Sequence, residues 1–442
     1  MWIVTSHSRV ARRWLAAGLA LAFAVSACGG STATGSGSGS SGAASATASG
    51  SVAAAQAELD RALEQLEAIH PEPFHAVDRG TFAAALEELQ QSLSNLTADQ
   101  AMVELMRLWS RLSVERDGHQ FAFLAEGRDE PVLPLRVYEF EDGVFITSAM
   151  DEYLDLAGTR LVAIGGHPID DVLAALEPLV PRDGPATVPA FRPIYLLKVG
   201  VLRGLGLVGE GDVPLEIDDG SGTRSVSVTP VPVAEFEAWA GWLAYTGLPP
   251  RDGLRATEQR AETIWLERLP EGAIYVRYPA VFDIPQAAID ELDQLAAAHP
   301  DERIILDLRQ NPGGDNHNYA NLLSHLTDPE IDRPGRLVVL TDRVTFSAAS
   351  NFSTEIEQKT DAVFVGEPMG GGLNFWDDVT WVQLDDYVVP MRVAISVRYW
   401  QKSMPDDSRL SIEPDLAVPT RAADYFAGRD PVLEAALDAR FD

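Results

Sequence analysis

The chain has 442 residues, 46% of them apolar, which is enough for two or three folded units. It carries 66 acidic residues against 34 basic ones, a formal charge of −32, and a surface that acidic repels nucleic acid and anionic lipid headgroups. Cys28 is the only cysteine, which excludes a disulfide framework, a cysteine-based zinc site and a catalytic thiol within the folded part.

The first 27 residues read as a targeting signal. Arg9, Arg12 and Arg13 lead into an apolar run, which ends in the small-residue site Val25-Ser26-Ala27-Cys28. The run is too short to span a bilayer comfortably. The site resembles the lipobox of bacterial lipoproteins, which implies cleavage before Cys28 and acylation of that cysteine, so that a lipid anchor is the only contact with the membrane. Losing the three arginines takes the formal charge to −35. Residues 28–51 are almost all Gly, Ser, Ala and Thr, a composition that cannot bury enough apolar surface to fold and reads as a flexible tether.

Residues 52–128 space Ala and Leu at helical intervals in three runs, the first halting at Pro71, and predict a helical unit. Residues 129–255 turn to short β-type runs. Within them "LAGTRLVAIGGHPIDDVLAAL" gives a strand, a Gly-Gly turn and a helix from Ile169, an order that resembles the later part of a PDZ domain, with an unrelated β-rich insertion as the alternative. "DVPLEIDDGSGTRSVSVTPV" predicts a hairpin around Asp218-Asp219-Gly220. Residues 256–442 alternate apolar strands with helices, through "GAIYVRYPAV", "PQAAIDELDQLAAAHP", "RIILDLRQ", "NYANLLSHL", "RLVVLTD", "AASNFSTEIEQKT" and "AVFVGEP". That order predicts a mostly parallel sheet covered by helices, with ligands held at the carboxyl ends of its strands.

Two residue sets fall at such ends. Asn311-Pro312-Gly313-Gly314 closes one strand, and its glycines free the backbone to point N–H groups into a cleft, as an oxyanion hole requires; a plain tight turn is the alternative. Ser347, flanked by Ala348 and Ala349, closes another at a helix start, where it is either a nucleophile or a helix cap.

"ILDLRQNPGG", "LTDRVTFSAASNF" and "FVGEPMGGGLN", in this order and spacing, resemble the core of the S41 family of serine peptidases, the tail-specific or carboxyl-terminal processing proteases. The resemblance covers roughly residues 274–418 and a shorter piece around "RDGHQF". It implies an α/β fold with a crotonase-like core, an N-terminal helical unit and an inserted β-rich, PDZ-like unit. It further implies Ser347 as nucleophile, backbone N–H groups of Gly313, Gly314 and Ala348 as oxyanion donors, and a peptide or protein as substrate.

The family's processing proteases use a lysine shortly after a Gly-Glu pair as general base, and here that position is Gly372. Of the three lysines in the chain, Lys359 lies twelve residues past Ser347, about 18 Å along a helix, and is too far away. Spacing does not exclude Lys402, but a serine–lysine dyad is not expected. The tricorn-like branch takes a histidine from an N-terminal Asp-Gly-His segment instead, and "RDGHQFAFL" offers His119. A histidine has the resting pKa to accept a serine proton near neutrality. His317, close to the oxyanion turn, is its rival, whereas His70 and His75 read as solvated or capping residues in a helix-ending loop. Family position suggests an acidic residue to orient the imidazole, Asp407 or Glu413, with weaker claims from Glu355 and Glu367. Asp307 and Arg309 are expected to pair at a strand end, and Asn374 to line the cleft.

The chain has no His-Glu-x-x-His helix, no Gly-Lys-Ser/Thr loop and no calcium-loop spacing, so neither a metal nor another cofactor is expected. Two functions compete. One is a lipid-anchored serine endopeptidase, and the other is a catalytically inactive relative that keeps the cleft to bind peptides, for which the absent lysine is the motive.

Overall fold

The computed structural model describes residues 48–440, apart from 126, 128–129 and 242–245. The signal segment, Cys28 and most of the expected tether lie outside the described residues.

Three helices open the described chain, Ala48–Ile69, Arg79–Ser92 and Ala98–Ser110, the first beginning inside the stretch expected to be tether. Asp78 caps the second by accepting from Thr81 N–H, and Thr97 with Gln100 forms a capping box on the third, so local chemistry sets both starts. Their buried faces, with Leu59, Leu66, Phe82 and Met106, pack on Val382, Leu384, Val393 and Ile395. Those four residues belong to a long antiparallel hairpin, Asn374–Leu384 with Met391–Gln401, which the sequence reading did not anticipate. A short third strand, Ala122–Leu124, pairs with Met391–Val393. Trp109 Nε1 donates to Ala394 O at 3.0 Å, tying the third helix to the same hairpin.

The β-rich region forms an antiparallel sheet from Leu135–Phe140, Gly143–Ala149, Arg160–Ile164, Val213–Asp218 and Thr223–Val228. The last two make the expected hairpin, and the helix after the Gly-Gly turn spans Ile169–Leu176.

The remaining sheet has six strands in the order Trp265–Leu269, Ala273–Arg277, Arg303–Asp307, Leu337–Thr341, Val363–Gly366 and Leu416–Ala417. The first pair is antiparallel and every other pair parallel. Alternate strand residues serve opposite faces. Ile304, Leu306, Leu337 and Val339 pack against Ile289, Leu292, Leu322 and Phe352 of the connecting helices, while Ile305, Val338, Leu340 and Val365 pack under Val432 and Leu433 of the last helix, Pro431–Asp438. Each such side chain contributes about 1.5–3 kcal/mol on burial. The protein is therefore a mixed α/β fold with several sheets, and among the described residues no helix is long and apolar enough to cross a membrane.

Candidate active site

Asp307 and Leu340 are register partners on adjacent parallel strands, so the loops that follow them emerge side by side. Asp307 and Arg309 pair as expected, and Arg309 reaches on to Asp430 at 2.6 Å, which fixes the end of the first strand. The buried Asp342 carboxylate accepts N–H groups from Gln310, Val344 and Thr345, and Phe346 N donates to Asn311 O at 3.1 Å. The Asn-Pro-Gly-Gly turn and the serine loop are thus one hydrogen-bonded unit.

Ser347 occupies the N-cap position of the helix Ala348–Lys359, yet its hydroxyl makes no capping bond. It donates instead to Asp377 Oδ2 at 3.1 Å, and its φ of 53° is a conformation that non-glycine residues rarely adopt. Among the described residues four non-glycine residues have positive φ: Arg116, Gln310, Ser347 and Asp378. Each stands within three residues of Asp377, of His119 or of the Asn-Pro-Gly-Gly turn, or is Ser347 itself. Such outliers cost of order 1–3 kcal/mol each and cluster where a site demands them.

His119 reaches the serine loop from a segment far away along the chain. The segment carrying it is laid on the long hairpin by Trp376 N donating to Arg116 O and Ala394 N donating to Phe121 O, both at 2.8 Å. The imidazole is fully buried between Phe346 and Phe375, with ring centroids 4.7 and 5.7 Å away. Its Nε2 lies 3.3 Å from Asp377 Oδ1. Asp377 therefore has one oxygen on the serine hydroxyl and the other on the histidine. The sequence reading had His119 taking the serine proton directly; the geometry puts a carboxylate between them.

The two carboxylates expected to orient the imidazole are engaged elsewhere. Asp407 is bonded to Ser403 and Arg409, and the Arg409 guanidinium holds it far below the usual carboxylate range. Glu413 is exposed beside a cavity of about 630 Å³ lined by Arg343, Pro368 and Leu410 among others. Glu355 takes Lys359, Lys402 and Tyr319, and hydrogen bonds from all three override its partial burial to hold it down at about 2. Glu367 pairs with Arg343, and Lys198 with Glu130. His317 has an 80% exposed side chain bonded to Asp315, whereas the Ser347 hydroxyl bonds to Asp377. Asn374 holds the Lys402 and Ser403 amides through its Oδ1, so it shapes the loop at the end of the hairpin.

Of the expected oxyanion donors, Gly313 N–H is already given to Asn311 Oδ1 at 2.9 Å, which corrects its assignment. Ala348 N–H opens a helix and has no acceptor within it. Gly314 is bridged to Val281 through its neighbours, Val281 N donating to Gly313 O at 2.8 Å and Asp315 N to Val281 O at 3.0 Å.

His70 and His75 are neither solvated nor capping. His70 is 2% exposed, and both rings place Nε2 on Asp117 Oδ2, at 3.1 and 3.2 Å. Gln120 Nε2 donates to the same oxygen and Ser396 Oγ to the other. Two histidines and a carboxylate could in principle hold a metal ion. However, His70 Nδ1 accepts from Glu72 N at 2.9 Å, so the neutral ring carries its proton on Nε2 and has no lone pair there for a metal. The cluster is a hydrogen-bonded clamp on the turn that carries His119. A pair of aspartates inside an aromatic strand, "NFWDDVTWV", is the sequence signal that could have revealed Asp377, since aspartate is depleted in strands.

No protein-family model and no curated protein matches the chain. Among solved structures, mature CPAF complexed with lactacystin is similar over 88% of this chain and 97% of its own, with a TM-score of 0.59 at 15% identity. A CPAF mutant aligns over 89% and 99%, with a TM-score of 0.60 at 14% identity. The photosystem II D1 C-terminal processing protease aligns more loosely, at a TM-score of 0.40 and 14% identity over 82% and 92%. What this chain has in common with CPAF is its overall fold.

Proposed function

We propose that the protein is a serine-type peptidase of the S41 kind, with a crotonase-like core and a PDZ-like insertion, acting on peptides outside the cytoplasm. The observation that carries the reading is Ser347 itself, strained at a helix start with its hydroxyl turned from capping onto an Asp377 carboxylate that also meets His119. In the proposed first step Ser347 Oγ bonds to the substrate carbonyl carbon, its proton passes to the Asp377–His119 pair, and that proton then leaves with the amine of the broken peptide bond. Ala348 and Gly314 N–H groups are the proposed oxyanion donors. The likeness to CPAF, which binds lactacystin, agrees with this reading at the level of fold.

A fluorophosphonate probe tests it. Labelling of the wild-type protein that disappears in Ser347→Ala is the expected result. Folded wild-type protein that takes no label would instead favour the inactive peptide binder.

The proposed location rests on the Val25–Cys28 site and the Gly/Ser-rich stretch after it. Cys28→Ser is expected to move the protein from the membrane fraction to the soluble one, and a variant that stays with the membrane would refute the lipid anchor.

A further inference from the structure

Asp183 is a fully buried carboxylate with no part in the steps above. It comes from "VPRDGPATVP", a loop of the β-rich region, and meets the catalytic loops at two points. Gly118 N donates to its Oδ1 at 2.6 Å and Gly372 N to its Oδ2 at 3.0 Å. Gly118 immediately precedes His119, and Gly372 stands where the resembling proteases carry their lysine. The approach is close, since a β-carbon on Gly118 would lie 3.1 Å from Asp183 Oδ1, Asp183 N and Phe346 Cζ. The loop is locked from behind as well, by Asp183 N donating to Thr187 Oγ1 and Arg116 N donating to Asp183 O. No side-chain cation forms an ion pair with Asp183 among the described residues. The charged groups facing it are His119, which favours its ionised form, and Asp117, which opposes it.

We propose that Asp183 is a positioning residue for the His119 base, fixing the peptide before the imidazole through Gly118 and stabilising the imidazolium that forms when the serine proton is taken up. The proposal rests on the peptidase reading above. A buried anion without a cation of its own is costly to keep for packing alone, and an apolar residue would fill the space more cheaply. Burial pushes the Asp183 carboxyl up to about 6, so the charge is present at neutral pH and lost on acidification.

That direction gives a readout that a purely structural role would not move. The rate of fluorophosphonate labelling is compared in full-length wild type and Asp183→Asn across pH. With the carboxylate ionised, above pH 6, the wild type is expected to label roughly tenfold faster, because the variant lacks the charge that steadies the developing imidazolium. Below pH 6 Asp183 of the wild type is protonated, so residue 183 is uncharged in both proteins and the ratio should fall toward one. A ratio of one throughout, or a ratio independent of pH, would overturn the proposal. A second measurement leaves Asp183 in place, in case Asp183→Asn fails to fold or the wild type takes no label. The carboxyl 13C resonance of Asp183 is titrated in the wild type and in His119→Gln, and its midpoint should rise when the histidine charge is removed. An unchanged midpoint would refute the coupling. A midpoint raised in His119→Gln together with a wild type that takes no label would sink the peptidase reading and leave the electrostatic coupling of Asp183 to His119 standing.

Discussion

Asp377→Asn is expected to lower kcat by up to about 10⁴ while the protein stays folded, the order of loss seen when the carboxylate of a serine–histidine–aspartate set is neutralised, and here that carboxylate stands between the serine and the histidine. The asparagine is isosteric, and Asp378 N–H, which donates to Asp377 Oδ1 at 2.6 Å, will select which end of the amide remains an acceptor. The retained oxygen then faces Asp378 and the histidine, and the NH₂ faces Ser347 Oγ. A donor now points at the hydroxyl, and the proton has no acceptor. His119→Ala is expected to give a loss of the same order, and the double variant little more, because groups that act as a unit are not additive. Asp407→Ala and Glu413→Ala should stay near wild-type turnover, since neither carboxylate is held at the site. Turnover by Asp377→Asn within tenfold of the wild type would show that the carboxylate is a bystander and that His119 reaches the serine by moving past it. Circular dichroism and thermal unfolding on each variant separate lost chemistry from lost fold.

Much of this arrangement was legible in the sequence. The continuous apolar runs and the helices between them give the parallel sheet, because each strand must be apolar on both faces and each helix on one. The turn chemistry of Asn311–Gly314 and the small residues after Ser347 mark the two strand ends, while His119 was singled out by the family resemblance of its Asp-Gly-His segment. What stayed hidden depends on contacts between distant segments. Asp377 is 258 residues from His119 along the chain and meets it only because the hairpin Asn374–Gln401 folds across the N-terminal segment. Aspartates are so common here, in a chain with 66 acidic residues, that no composition argument could choose among them. The choice of Asp407 or Glu413 followed family position, whereas in this fold Arg409 takes Asp407. His70 was misread because a histidine beside Pro71 and Glu72 looks solvent-facing, and only the folded chain buries it on Asp117.

Gly313→Ala is expected to lower kcat by about 10²–10³ with much less effect on KM, the range found when an oxyanion donor is lost. The reason differs from the one the sequence suggested. Gly313 gives its own N–H to Asn311, so its importance lies in the β-carbon it lacks. Its φ of 104° is open to glycine, and a β-carbon there would lie 2.7 Å from Ser347 Cβ and 2.9 Å from Ala348 N. That carbon would occupy the space onto which the nucleophile and the first helical N–H both open, where the substrate's carbonyl oxygen has to sit. Gly314 provides the contrast. A β-carbon there would come within 2.4 Å of Val281 O, a backbone atom in the adjoining bridge, so Gly314→Ala should pull the turn off its neighbour and lower the thermal midpoint more than Gly313→Ala does. The two variants therefore separate a filled oxyanion site from a loosened turn. Full kcat in folded Gly313→Ala would place the oxyanion elsewhere than over this glycine, and the case for Ala348 N–H as its donor would fall with it.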